Sequence, residues 1–140
     1  MAEFGTPSTR TVAACLAADA AAVLLFVALG RSSHDEGGNA ITGALSVAAP
    51  FLIALVLGWA GARAWRSPTA PTTGMVIWVA VMVLGMLLRR FVFDRGTALP
   101  FIIVAACFTL LFLVGWRYAW QWRTGRRTAA QPGSGDTTSG

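Results

Sequence analysis

The chain has 140 residues, of which 56% are hydrophobic and only 12% charged. An ordinary soluble domain carries about 25% charged residues, so this composition leaves too little polar surface for a water-soluble core and excludes that class. Net charge is +5, and all eleven basic residues are arginines placed at the ends of apolar runs; that placement reads as membrane topology rather than as a nucleic-acid surface. One domain is the natural count at this length.

The first ten residues are small and polar and end in Arg10. An apolar run follows over about 11–30, broken by one charge, Asp19. At about 1.5 Å per residue it is long enough to cross a bilayer. Gly30 to Asn39 is a polar loop carrying Arg31, His34, Asp35 and Glu36. The second run spans about 41–64. Pro50 predicts a kink there, and Ala54, Gly58 and Ala62 form a small-residue face, suited either to a neighbouring helix of the bundle or to another protein. Arg63, Trp65 and Arg66 mark an interface, and Ser67 to Pro71 is a short, stiff connection.

The third run spans about 73–93, with Arg89 and Arg90 near one interface and a turn at Asp94 to Thr97. The fourth spans about 99–122 and ends in Trp116, Tyr118, Trp120 and Trp122, an aromatic belt. Residues 123–140 are rich in Arg, Gly, Ser, Thr and Pro, bury nothing, and are expected to be disordered.

The expected fold is therefore an all-α integral membrane four-helix bundle. Arg10, Arg63, Arg66, Arg117, Arg123, Arg126 and Arg127 fall on one side, and Arg31, Arg89, Arg90 and Arg95, partly offset by acids, on the other. That bias places both termini in the cytoplasm of a multi-pass plasma-membrane protein. A competing reading takes the first run, with its Ala28-Leu29-Gly30 end, as a cleaved signal peptide. Asp19 within the run and its near-full span length argue against cleavage.

Asp19 is the most informative single residue, because a carboxylate inside a span is costly and by default marks a site. It lies about two turns in from the cytoplasmic end of the first helix, and Arg117 lies about one and a half turns in from the same end of the fourth. The matched depths make them an intramembrane pair, read either as a structural pin or as a protonatable group on a solute path. A second set, Arg31, His34, Arg89 and Arg90, is expected near the outer interface. If the first and third helices are close, these side chains form a cationic cluster for lipid headgroups or an anionic ligand. His34 is the only histidine, so no multi-histidine metal site is expected within one chain. Six tryptophans sit mostly at the expected interfaces, and no pigment, quinone or other cofactor is expected. Cys15 and Cys107 fall at different depths and are expected to be unpaired.

Several landmarks occur in order: Asp19, Phe26, Gly30-Arg31-Ser32-Ser33-His34, Pro50-Phe51, Gly58-Trp59, Gly74 through Trp78, Gly85-Met86-Leu87-Leu88-Arg89, Phe101 and Gly115-Trp116-Arg117. With them the chain resembles domain-of-unknown-function family 3054 (DUF3054), small prokaryotic membrane proteins, over roughly residues 11 to 120. The resemblance implies four helices and draws attention to Asp19, Gly30, Arg31, His34, Arg89 and Arg117. It carries no activity to transfer.

Three function classes follow. The first is a non-enzymatic accessory or structural subunit of a membrane complex, with a homo-oligomer or larger assembly as partner. The second is a small transporter or proton path using Asp19. The third is a membrane enzyme acting on an anionic lipid or solute at Arg31, His34 and Arg89.

Overall fold

Inside a bilayer every backbone N–H and C=O needs an internal partner, so a long apolar run with few breakers closes into helix. The structure, a computed structural model, describes residues 5–32, 39–94 and 98–129. It contains four α-helices, α1 (Thr9–Ser32), α2 (Ala40–Ala62), α3 (Pro71–Phe91) and α4 (Leu99–Ala129), with one 3₁₀ turn, Ala64–Arg66, after α2. All four α-helices are long and apolar enough to span a membrane. Each packs on its neighbours in chain order, and α1 closes the ring against α4. The start of α1, the end of α4 and the α2–α3 connection thus share one end of the bundle, and α1 and α3 face each other across it.

Local chemistry sets the boundaries. α1 starts at Thr9 because the Ser8 hydroxyl caps it, accepting from the Thr11 N–H at 3.2 Å. α2 continues through Pro50 and ends at Arg63, a left-handed residue with φ 48° whose N–H donates back to Ala60 and Trp59 carbonyls. α3 begins with Pro71 at its first turn, where the missing N–H is not needed.

α4 differs from the sequence reading, which ends the fourth helix at Trp122 and starts a disordered tail at 123. The helix runs on to Ala129. Exposed residues beyond Trp122 are held by contacts within the helix: the Arg126 guanidinium lies 3.9 Å from the Trp122 ring centroid, one turn on. Thirty-one residues extend about 46 Å, against a hydrocarbon core of about 30 Å, so the last turns project past the membrane. Residues 130–140 lie outside the described part.

The core is built on the inner faces. Phe26 packs edge-on against Phe51 at 5.9 Å and tilted against Phe101 and Phe108, each at 5.7 Å. Gly85 allows this, since a Cβ there would come within 2.7 Å of the Phe51 ring. The small-residue face of α2 is internal. Ala54 is buried, and a Cβ on Gly58 would sit 2.9 Å from the Ala80 methyl of α3. Close backbone approach of this kind is what drives helix association where lipid removes the hydrophobic incentive. The outer faces carry Leu24, Leu25, Val56, Val76, Val83, Ile103 and Leu111, all exposed and suited to lipid.

Candidate functional site

The α1 sequence places Asp19 on the same face as Val23 and Phe26, i, i+4 and i+7, so the carboxylate points into the bundle with the core residues. It has 0% exposure, as does Arg117 of α4. The two form a bidentate pair: Arg117 Nη1 donates to Asp19 Oδ1 at 2.8 Å and Nη2 to Oδ2 at 2.7 Å. This planar fork-to-fork contact is the geometry guanidinium offers and ammonium does not.

Two indoles complete the carboxylate's surroundings. Trp59 of α2 donates its Nε1–H to Oδ2 at 2.9 Å, and Trp116 of α4 donates to Oδ1 at 3.1 Å. Each oxygen thus accepts two hydrogen bonds, and the roughly four lone-pair positions of a carboxylate are filled. The guanidinium is equally engaged. Its Nε donates to the Pro68 carbonyl at 2.9 Å, and its Nη1 also donates to the Leu113 carbonyl.

Gly74 of α3 makes the room. A Cβ there would fall 2.7 Å from Arg117 Cδ and 3.0 Å from the Leu113 carbonyl oxygen. The site therefore draws on all four helices and on the α2–α3 connection.

Sequence reasoning paired Asp19 with Arg117 by depth, and the structure brings them together. It does not anticipate the other parts. Trp116, read as part of the aromatic belt, and Trp59, one of six tryptophans read as mostly interfacial, are internal donors, and Trp78 is engaged too, its Nε1–H reaching the Ala106 carbonyl of α4 at 3.1 Å. Only Trp65, Trp120 and Trp122 are exposed in the manner of a belt. The available signal was Gly58-Trp59 and Gly74: glycines at helix crossings mark where a large neighbour must fit.

Of the outer set, Arg89 and Arg90 have described side chains. Arg89 is half-buried, with its guanidinium 4.4 Å from the Phe101 ring centroid, where it caps the aromatic cluster. Arg90 is exposed and 3.6 Å from Asp94 one turn on. The Arg31 side chain and His34 lie outside the described residues, and α1 stands across the ring from α3. Cys15 is buried and Cys107 exposed, both free thiols. Among the described residues no cluster of three or more His, Cys, Asp or Glu side chains could hold a metal.

The family described as "Protein of unknown function (DUF3054)" matches residues 16–120 of the chain, a stretch that includes Asp19, Trp59, Gly74, Trp116 and Arg117. No curated protein and no solved structure matches it.

Proposed function

The chain belongs to the DUF3054 family, and for this member we propose a non-enzymatic role as an accessory or structural subunit of a membrane complex, with the Asp19–Arg117 pair as an internal pin. One observation carries the reading: the Asp19 carboxylate accepts four hydrogen bonds from three side chains at 0% exposure. A carboxylate that relays protons or meets a solute needs an open lone pair and a wet approach. Asp19 has neither, and protonation would break the bidentate contact. A bundle built this way works through its surface rather than through an interior path.

The same reading orients the protein. Arg10, Arg63, Arg66, Arg123, Arg126 and Arg127 are exposed at the end that holds the start of α1 and the end of α4. This concentration favours a cytoplasmic location for that end and the plasma membrane as the site of residence.

The test is reconstitution into vesicles with an enclosed pH dye, alongside thermal unfolding in detergent. Wild-type protein is expected to carry no proton flux above empty vesicles, and Asp19→Asn to lower the melting temperature and the amount found in membranes. A wild-type flux that Asp19→Asn abolishes while keeping wild-type stability would overturn the accessory reading in favour of the transport one.

A further inference from the structure

At the arginine-rich end, α1 and α4 leave a space between them. A groove of about 410 Å³ opens there, lined by Arg10, Ala14, Cys15, Ala18, Trp116 and Trp120, with Thr11 and Thr69 at its edge. Its size is that of a small-molecule site, about 300–1,000 Å³. Its walls are methyl groups, a thiol and two indoles, and its one charge is Arg10 at the rim. From Arg10 to Ala18 is eight residues of helix, about 12 Å. That is most of one leaflet's share of a hydrocarbon core about 30 Å thick.

We infer that this groove binds an anionic phospholipid, with one acyl chain lying between α1 and α4 and the phosphate at Arg10. Three features of the surroundings select this occupant. First, the groove lies between two helices long and apolar enough to span a membrane, so the medium beside it is lipid. Second, the exposed charges at this end are six arginines, and among the described residues no exposed acid accompanies them; a negative headgroup is therefore favoured over a zwitterionic one.

Third, among the described residues no segment of the chain fills the groove. Residues Gly5, Thr6 and Pro7 border a different cleft with Trp65 and Arg66, and residues 130–140 contain no large apolar side chain. The groove also borders the buried site. Trp116, which forms its wall, is the half-buried donor to Asp19, so a seated chain keeps water from that hydrogen bond. The inference is independent of the accessory role.

The experiment is native mass spectrometry of the full-length protein released from detergent with phosphatidylglycerol and phosphatidylcholine of identical chains. Wild type should retain one phosphatidylglycerol about fivefold over phosphatidylcholine, the discrimination expected of one arginine at a headgroup. Arg10→Gln should equalise the two lipids. Ala14→Phe and Ala18→Phe, at exposed positions where folding tolerates bulk, should release both, while Val83→Phe on the lipid face of α3 should change nothing. Equal retention of the two lipids by wild type would overturn the inference, as would unchanged phosphatidylglycerol retention in Arg10→Gln or in both groove variants. A dimer that disappears in the groove variants while lipid retention holds would also overturn it, giving the groove to a second copy.

Discussion

Arg117 and Arg89 lie at opposite ends of the same bundle and meet the membrane differently. Arg117 is fully buried and ringed by a carboxylate and two carbonyls. Arg89 is half-buried against an aromatic ring, and its neighbour Arg90 reaches outward to an exposed acid. The difference lies in what surrounds each guanidinium. A charge leaves water without a ruinous penalty only when its donors and its counter-charge are satisfied together. At the Arg117 end Asp19 of α1, the Leu113 carbonyl of α4 and the Pro68 carbonyl of the α2–α3 connection supply that set. At the Arg89 end the guanidinium sits over the Phe101 ring.

The comparison can be broken at the buried end first. Asp19→Asn and Arg117→Gln should each destabilise the detergent-purified protein by about 3–5 kcal/mol, because each leaves a buried partner group without its counter-charge. The double mutant should fall well short of the sum. Thermal unfolding of all four proteins reads the coupling, and simple additivity would mean that the pair does not act as a unit.

Gly74→Ala comes next, with an expected loss of about 1–3 kcal/mol from overpacking. Its added methyl would meet Arg117 Cδ at 2.7 Å with a carbonyl close behind. If Gly74→Ala melts like wild type, the guanidinium is not held against α3 at Gly74. Trp59→Phe keeps the ring but removes one donor to Asp19 and should lose about 1–2 kcal/mol, between the figures for charged hydrogen bonds in water and for bonds within membranes. The same exchange at exposed Trp65 should leave the unfolding curve in place. The smallest effect belongs to the outer end. Arg90→Gln removes an exposed i, i+4 pair and should leave the melting temperature unchanged in high and low salt alike.

Much of this was legible in the residues, and the reasons are specific. Asp19 stood out because a lone acid in a span has to be answered, and Arg117 stood out as the basic residue at matching depth. Trp59 and Trp116 were not legible as donors, because an indole near a helix end serves equally well at an interface or inside a bundle, and depth alone does not choose. The Pro68 carbonyl carries no side-chain signal at all. The end of α4 was misplaced for another reason: the sequence reading stopped the helix where burial stops, whereas Trp122 and Arg126 sustain it through contacts one turn apart.

Sequence alone determined the all-α class and the number of long apolar helices, since hydropathy, length and rise per residue are properties of one segment at a time. Which face of each helix turns inward was decided only by tertiary structure. So were the internal place of the α2 small-residue face, the closure of the ring by α1 on α4, and the meeting of two indoles and a guanidinium on one carboxylate. Those outcomes depend on rotations and crossings between segments, fixed by close packing at glycines such as Gly58 and Gly74 and by the need to satisfy every buried charge at once.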